Sequence, residues 1–287
     1  MATTRIAALQ MRSGQSVERN IAAFEALVRE AAAKGAAYVQ SPEMTGALMR
    51  DRAALRATLK PQGSDPVERA AARLAAELGI VVHLGSTAIA RADGKVANRG
   101  FLFGPDGALL ATYDKIHMFD VDLDNGESWR ESAAYTPGDT AIVVDLDFAR
   151  LGLGICYDVR FPQLFQAQAL AGAHILTMPA AFTRQTGEAH WHVLQRARAI
   201  ENGAFVVSAA QGGLHEDGRE TYGHSLIVDP WGRVLAEADH DEQGVVIADI
   251  DLAEVAQARA RIPNLKNARE FRVVHATETE LREAGAR

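Results

Sequence analysis

The single cysteine of the chain is the residue best suited to nucleophilic chemistry. Cys156 follows the apolar segment 151–155, and Phe161 and Pro162 open a helical pattern shortly after it. This pattern predicts a thiol at the carboxyl end of a buried strand, where ligands bind in open α/β sheets, and near a helix N-terminus, whose dipoles favour the thiolate. Cys156 is therefore a candidate nucleophile. The alternative is a small buried apolar residue, the commoner role of a free cysteine.

A nucleophilic thiol needs a base, and histidine is the base in cysteine proteases. The chain has nine histidines, and none is distinguished by its surroundings. His190 and His192 lie two residues apart on a predicted helix, so they point to different faces and do not fit the H-E-x-x-H zinc pattern. Gly152 and Gly154 lack the third glycine of a dinucleotide-binding loop. We therefore expect neither a metal nor a nucleotide at these positions.

Glu43 is the carboxylate best placed to act as the base. It follows the apolar segment 36–40 in V-Q-S-P-E, at the carboxyl end of a predicted strand. In a doubly wound sheet that end faces the same crevice as Cys156, and Pro42 restricts the backbone that leads to it. The alternative is a solvated glutamate that merely follows a strand.

Two further charged residues lie between these candidates along the chain. Lys115 interrupts the otherwise apolar predicted strand 109–118. Such a lysine is either exposed on an edge strand or buried and paired, because a lone buried charge is costly. Glu131 lies in a polar segment, 119–140, that we predict to be a long loop, and composition alone does not separate it from its acidic neighbours.

The composition limits the classes of function. The chain has 287 residues, of which 48% are hydrophobic and 23% charged, which is ordinary for a globular protein with an ample core. A net charge of −7 argues against nucleic-acid or anionic-membrane partners. No apolar run reaches the length of a membrane span, and the first residues show no signal-peptide pattern. One cysteine suits a reducing compartment, so we expect a cytoplasmic protein.

Predicted strands and helices alternate along the chain, with hairpins inserted between them. This order is typical of an α/β domain with a mixed sheet covered by helices. We see no linker or internal repeat that would divide it. The predicted helices are 16–34, 66–79, 161–173, 188–203 and 252–262, and the strands between them include 5–11, 36–40, 80–90, 96–104, 109–118, 141–146, 151–155, 174–182 and 204–211.

Taken together, these residues resemble the nitrilase superfamily of carbon–nitrogen hydrolases. The resemblance runs from residue 5 to about residue 263, so we expect one hydrolase domain over 1–265 and a tail, 266–287, that forms no separate domain. The motifs that carry it are S-P-E-M (41–44), Y-D-K-I-H-M-F-D (113–120), E-S-A-A-Y-T-P-G-D (131–139) and G-L-G-I-C-Y-D-V-R-F-P (152–162).

The resemblance implies an α-β-β-α sandwich with a Glu-Lys-Cys triad at Glu43, Lys115 and Cys156, and a second glutamate at Glu131. It implies that Glu43 is the general base and that Cys156 attacks an amide carbonyl to form a thioester. Lys115 and the backbone N–H of Tyr157 would stabilise the oxyanion. No metal or organic cofactor is implied. Members of the superfamily usually pair sandwich to sandwich, so a four-layered homodimer or higher homo-oligomer is expected.

Within the superfamily, the likeness is strongest to the branch of deaminated glutathione amidase and ω-amidase. The stretches 181–191 and 209–225 look most like the former. The expected reaction is hydrolysis of deaminated glutathione to 2-oxoglutarate and Cys-Gly. The alternatives are ω-amidase activity on 2-oxoglutaramate or a related small amide, and an inactive binding protein on the same fold.

The acyl group shared by these substrates carries a carboxylate, for which arginine is the usual partner. Arg160, Thr183 and Arg184 lie beside the matched motifs and are candidates to bind it. Arg160 could instead form a structural pair with Asp158, and Arg184 could be solvated.

The segment 212–221 is a further candidate for substrate binding. It contains His215 and Arg219, and it could reach the carboxylate of a dipeptide leaving group. Of the two interpretations we favour the other, a solvated hairpin tip.

Overall fold

A computed structural model of the chain describes residues 3–123, 126, 128–273 and 275. The helices are α1 (Val17–Ala33), α2 (Arg52–Thr58), α3 (Pro66–Leu78), α4 (Pro162–Leu170), α5 (Arg184–Asn202), α6 (Ala253–Arg261) and α7 (Asn264–Asn267), with short 3-10 helices at Glu131–Ala133 and Cys156–Arg160. The strands are β1 (Thr4–Gln10), β2 (Tyr38–Gln40), β3 (Lys60–Pro61), β4 (Val81–Ala90), β5 (Val96–Phe103), β6 (Leu109–Asp114), β7 (Asp120–Asp122), β8 (Ser128–Arg130), β9 (Ile142–Asp145), β10 (Arg150–Leu153), β11 (Ile175–Thr177), β12 (Phe205–Ser208), β13 (Gly212–Leu214), β14 (Glu220–Tyr222), β15 (Leu226–Val228), β16 (Val234–Glu237) and β17 (Gly244–Ile250).

Two mixed sheets form the centre of the molecule. The first has the order β17-β1-β2-β4-β5-β6, with β3 beside β4, and the second has the order β16-β15-β12-β11-β10-β9. In the first sheet β1, β2 and β4 are parallel, and in the second β10, β11 and β12 are parallel. Antiparallel strands flank each parallel trio. The two sheets therefore share one plan, and each presents the carboxyl ends of three parallel strands.

The alternation of side chains along β1 shows how the layers stack. Ile6 and Ala8 belong to a core formed with the second sheet, whereas Ala7 and Leu9 pack with α1 and α3. Successive side chains of a strand point to opposite faces, and here both faces are buried. Residues of α4 and α5 pack on the far side of the second sheet. The layers are thus α-β-β-α, as the family resemblance implies.

The helix boundaries have local causes. Asp65 accepts hydrogen bonds from the first backbone N–H groups of α3, and Gly79 ends that helix in the left-handed region, as expected of a capping carboxylate and a C-terminal glycine. Thr183 caps α5 in the same way, and Gly203 ends it. The helix predicted over 188–203 therefore begins one turn earlier.

Two differences between the predicted and observed elements bear on the site. The segment 119–140 is not simply a loop, because β7 and β8 form a hairpin within it. Lys115 does not lie inside a strand but directly after β6, which ends at Asp114. The end of β6 brings Lys115 to the rim of the first sheet, and the hairpin carries Glu131 back toward it. Part of the predicted tail, 276–287, lies outside the described residues.

Within the described residues, no helix has both the length and the apolar character needed to span a bilayer.

Candidate active site

A cavity of about 530 Å³ opens where β2, β6 and β10 end. Glu43, Lys115 and Cys156, which follow these three strands, all line it, and Glu131 lines it as well. Carboxyl ends of parallel strands are the usual place for a ligand in such sheets. The four residues predicted to carry the chemistry therefore share one pocket.

The backbone that presents Glu43 is tightly packed against β4. A Cβ atom on Gly85 would come within 2.1 Å of the Ser41 carbonyl oxygen and 2.6 Å of that of Pro42. Only glycine allows so close an approach between two backbones. Ser41 also accepts a hydrogen bond from the Gly85 N–H at 3.1 Å. The turn that carries Glu43 is therefore fixed to the sheet on which it depends.

Lys115 lies between two carboxylates. Its Nζ donates to Glu43 Oε1 at 2.8 Å and to Glu131 Oε2 at 2.8 Å. The Lys115 side chain is 2% exposed, and those of Glu43 and Glu131 are 6% and 13% exposed. A buried ammonium is tolerated only when it is paired and hydrogen-bonded, and both conditions are met here. This geometry agrees with the buried, paired alternative for Lys115 and excludes the exposed one.

Asn98 on β5, like Lys115, donates hydrogen bonds to both Glu43 and Glu131. Its Nδ2 donates to Glu43 Oε1 at 2.9 Å and to Glu131 Oε1 at 3.2 Å. The Ala181 N–H donates to Glu43 Oε2 at 3.0 Å, and the Phe119 N–H donates to Glu131 Oε2 at 2.7 Å. Each carboxylate is therefore held in place by several donors rather than by Lys115 alone.

Cys156 begins a 3-10 helix with φ at +50°. A residue with a side chain rarely adopts this left-handed region, and such strain is common at active sites. The Cys156 N–H donates to the Pro179 carbonyl at 2.9 Å, which holds the turn against the second sheet. The thiol is thereby presented at the wall of the cavity.

The protonation of the thiol differs from the expectation drawn from the helix dipole. Burial and the charge of Glu43 raise the pKa of Cys156 well above its ordinary value. The resting group is therefore the thiol and not the thiolate, because low solvation and a neighbouring carboxylate outweigh a single short helix turn. Cys156 consequently needs a base to remove its proton.

The charges of Glu43 and Lys115 support each other. Burial opposes ionisation of Glu43, but the Lys115 ammonium and the hydrogen bonds from Lys115, Cys156 and Asn98 outweigh it, so the pKa of Glu43 is lowered. Burial also opposes the ammonium, but the charges of Glu131 and Glu43 raise the pKa of Lys115 well above its usual value. At neutral pH the site therefore holds a carboxylate beside a protonated thiol.

Asp158, two residues after Cys156, is fully buried. Its carboxylate accepts hydrogen bonds from the Ile155 N–H at 2.9 Å, the Tyr113 hydroxyl at 2.7 Å and the His117 N–H at 3.0 Å. Ile155 immediately precedes Cys156, and Tyr113 and His117 lie two residues before and after Lys115. This network ties the turn of the second sheet to the end of β6.

Two of the predicted substrate-binding residues line the cavity and two do not. Tyr157 and Thr183 are in its wall, whereas Arg160 and Arg184 are not. Arg160 contacts His190 Nδ1 at 3.2 Å and lies over the rings of Tyr157 and Phe182. Its predicted partner Asp158 is instead occupied by the network described above.

Arg184 lies on the surface. It pairs with Glu188, Glu220 and Asp241 at distances from 2.7 to 3.4 Å. Its donors are therefore directed at neighbouring carboxylates and not at the cavity. The position of Arg184 corrects the expectation that it reaches a bound substrate.

Sequence reasoning missed or undervalued two residues of the cavity. Asn98 is a lone amide in the buried strand β5, and this isolation is the signal that could have identified it. Arg219 lines the cavity and its side chain is only 15% exposed, although the segment 212–221 was expected to be a solvated tip. The sequence of a hairpin does not show whether its tip packs against the cavity or faces solvent.

The histidines considered as bases lie elsewhere. His190 contacts Arg160, and His192 is 2.5 Å from Glu237. Neither lines the cavity. Among the residues that the structure describes, no group of three or more histidine, cysteine or acidic side chains is arranged to hold a metal ion.

Comparison with known proteins identifies the family of the chain. A family model described as carbon–nitrogen hydrolase matches residues 5–260. A deaminated glutathione amidase of Yersinia enterocolitica is 36% identical over 272 residues, which make up 94% of this chain and 94% of that protein. The omega-amidase NIT2 of Homo sapiens is also 36% identical over 272 residues, or 94% of this chain and 96% of that protein.

A solved structure shows the same fold. The crystal structure of the C. elegans NitFhit protein superimposes with a TM-score of 0.85 and 36% sequence identity. The match covers 94% of this chain and 66% of the NitFhit chain. The present chain thus spans about two thirds of that longer protein.

Proposed function

The chain belongs to the carbon–nitrogen hydrolase family and is an amide-hydrolysing enzyme, and we propose that it acts through a thioester formed on Cys156. The observation that supports this most directly is the placement of Lys115 between Glu43 and Glu131 in the wall of a cavity that Cys156 also lines. This arrangement supplies a nucleophile, a base and an electrophilic donor without a cofactor.

The first step forms a carbon–sulfur bond. Glu43 takes the thiol proton while Sγ attacks the amide carbonyl carbon, and the carbonyl π electrons move to oxygen. The Lys115 ammonium and the Tyr157 N–H, at the first turn of a helix, stabilise the resulting oxyanion. Loss of one such donor costs roughly 3 kcal/mol of barrier stabilisation. The raised pKa of Cys156 requires the base, and the lowered pKa of Glu43 keeps that base ionised.

The second and third steps release the products. The tetrahedral intermediate collapses, the carbon–nitrogen bond breaks, and the protonated Glu43 delivers its proton to the leaving nitrogen. Water then attacks the thioester while Glu43 removes its proton. The carbon–sulfur bond breaks, and the thiol is restored with the proton that Glu43 holds. Glu131 keeps Lys115 oriented throughout.

We propose deaminated glutathione as the substrate, with 2-oxoglutarate and Cys-Gly as products. The stretches 181–191 and 209–225 support this choice, as does the similarity to the Yersinia enterocolitica amidase. A cavity of about 530 Å³ falls in the range of sites that enclose compounds larger than a small ω-amide. The test is release of both products by purified enzyme, and the Cys156→Ala variant should release neither.

An ω-amidase that acts on 2-oxoglutaramate is the second candidate. It is supported by the equal identity of the human omega-amidase NIT2. The two substrates share an acyl group and differ in the amine released, so the ratio of their kcat/KM values separates the candidates. A higher value for 2-oxoglutaramate would replace our first assignment.

A non-catalytic binding protein is the remaining alternative, because a fold alone does not confer activity. The complete set of Glu43, Lys115, Glu131 and Cys156 in one cavity opposes it. Absence of turnover across a panel of small ω-amides, with ammonia and amine detection, would favour it.

We also propose that the enzyme is cytoplasmic and forms a homodimer or higher homo-oligomer. Exposed apolar side chains on α5, such as Val193 and Ile200 at 68% and 50% exposure, support pairing, because such residues on one helix commonly mark an interface. Light scattering of purified protein tests the assembly. A monomer at all concentrations would exclude it.

A further inference from the structure

A buried arginine in the cavity has hydrogen-bonding capacity that its surroundings leave unused. The Arg219 side chain is 15% exposed and lines the cavity with Cys156 and Lys115. Its Nε is buried and has no hydrogen-bond partner. Its ion pair with Asp217 has an Nη2–Oδ2 distance of 3.8 Å, too long for a hydrogen bond. A guanidinium carries five N–H donors, and burying them without acceptors is costly.

The hairpin that carries Arg219 is fixed against the active-site wall. Thr221 on β14 forms a bridge with Thr183, and the Tyr222 N–H donates to the Phe182 carbonyl at 3.0 Å. His215 on the same hairpin is 4% exposed and lies 2.6 Å from the Thr221 hydroxyl. The inward position of Arg219 therefore follows from the packing of the whole hairpin and not from one side-chain rotamer.

The cavity gathers other positive charges near Arg219. The guanidinium of Arg219 lies 4.5 Å from the ring centre of Trp129, and that of Arg50 lies 4.9 Å from the same ring. Such contacts orient a guanidinium plane. Burial is the main cause that lowers the pKa of Arg219; the charge of Asp217 raises this pKa, and the charge of Arg50 lowers it further. An anion placed between the two arginines would remove their repulsion.

The charges of the cavity wall are unevenly distributed. Among the described lining residues, Glu43 and Glu131 are already engaged by Lys115. Arg130 pairs with Asp122 at 2.9 Å and Arg52 donates to a backbone carbonyl. Arg219 is different, because its carboxylate neighbour Asp217 lies 3.8 Å away and its buried Nε has no hydrogen-bond partner among the described residues.

We infer that Arg219 binds a carboxylate of the substrate away from the scissile amide, and so makes the enzyme selective for anionic amides. This inference rests on the proposed amidase function. A carboxylate matches the planar fork of a guanidinium and supplies the acceptors that Arg219 lacks. Arg184, the sequence-based candidate for the role, already has three acidic neighbours.

The test compares an anionic amide with a neutral one of similar length, such as the monoamide of glutaric acid and pentanamide. In Arg219→Gln, kcat/KM for the anionic amide should fall roughly 10- to 100-fold, the loss expected for a charge-assisted hydrogen bond. The value for the neutral amide should fall much less. Arg219→Lys should retain part of the preference, and Arg184→Gln, the matched surface control, should keep all of it. Equal loss on both amides would show a structural role and overturn the inference.

A binding measurement separates this inference from the proposed function. Glutarate binding to Cys156→Ala, followed by calorimetry, needs no turnover. Adding Arg219→Gln to that variant should raise the Kd roughly 10- to 100-fold, and an unchanged Kd would overturn the inference even if the enzyme is an amidase. Conversely, the proposed function alone would be refuted if the wild-type enzyme hydrolyses no amide while the Kd for glutarate still rises on adding Arg219→Gln to Cys156→Ala.

The two possible sources of the carboxylate can also be told apart. 2-Oxoglutaramate carries a carboxylate only on its acyl group, whereas deaminated glutathione carries a second one on the leaving amine. If Arg219→Gln impairs both substrates, Arg219 binds the acyl carboxylate. If the substitution lowers kcat/KM for deaminated glutathione alone, Arg219 binds the carboxylate of the leaving amine. If it impairs neither, the inference fails.

Discussion

The carboxylate of Asp158 holds the backbone N–H of His117 at 3.0 Å, and so joins the two strand ends that carry the nucleophile and the ammonium. Asp158 lies two residues after Cys156, and His117 lies two residues after Lys115. The Nδ1 atom of His117 also lies 2.6 Å from Asp158 Oδ1, and the His117 ring stacks on Phe161. The relative position of sulfur and ammonium is therefore set by a contact that includes neither of them.

Replacing Asp158 by asparagine should damage both stability and activity. The Ile155 N–H and the Tyr113 hydroxyl donate to one carboxylate oxygen and the His117 N–H donates to the other. The asparagine amide would place an NH2 group in one of these two positions, so buried donors there would lose their acceptor. We expect the free energy of unfolding to fall by about 3 kcal/mol, and kcat to fall more than KM rises. Urea denaturation and steady-state kinetics measure both. The Tyr113→Phe variant, which removes one donor only, should lose about 1 kcal/mol. Wild-type stability and kcat in Asp158→Asn would refute the positioning role.

Asn98 should set the ionisation of the base. It donates to both glutamates, and its hydrogen bond contributes to the lowered pKa of Glu43. In Asn98→Ala the acid limb of the kcat/KM profile should therefore move to higher pH, and kcat should fall about tenfold, consistent with one lost hydrogen bond to a charged group. Asn98→Asp, which adds a third carboxylate, should be more severely impaired. An unshifted acid limb would show that Asn98 has no electrostatic role.

The pH dependence should be that of a carboxylate base. Glu43 has a lowered pKa, so its charged form persists below the ordinary glutamate value of about 4.3. The kcat/KM value should stay level as pH falls from neutral and decline only when Glu43 is protonated. The stability that the charged Glu43 contributes should be present above its unfolded pKa and lost as pH falls through the folded one. A decline centred near pH 6.5, the ordinary histidine value, would contradict this assignment.

The identity of the base can be tested by comparing two substitutions. Glu43→Gln keeps the shape of the side chain but cannot take a proton, so kcat should fall roughly 10³-fold. His192→Ala removes an imidazole that pairs with Glu237 outside the cavity, so its kcat should change little. Steady-state assays of both variants decide the matter. The reverse order of effects would mean that the base is a histidine.

Local patterns predicted most of the longer strands and helices and placed Glu43 and Cys156 at strand ends. Period-two alternation predicted β1, and strand ends followed by Glu43 and Cys156 predicted a shared crevice. The family resemblance then supplied the role of Lys115, which the residues alone left open between an exposed and a buried position. These predictions agree with the structure because the hydrophobic pattern of a few neighbouring residues indicates where a strand lies and which of its faces are buried.

The remaining features depend on contacts between distant segments. The link from Asp158 to His117 spans 41 residues, and that from Asn98 to Glu43 spans 55. The inward packing of Arg219 depends on Thr183, in another part of the chain. Two arginines beside two motifs look equivalent in sequence, and only tertiary packing shows that Arg219 faces the cavity and that Arg184 does not.

The most direct test of the account is the mass of the Cys156 peptide during turnover. Enzyme mixed with deaminated glutathione or 2-oxoglutaramate is quenched in acid, digested and measured by mass spectrometry, with Glu131→Ala included to slow the later steps. We predict that the peptide gains the mass of the acyl group and that the adduct is absent from Cys156→Ala. Continued hydrolysis by Cys156→Ala, or turnover without any adduct in wild type and Glu131→Ala, would contradict the account.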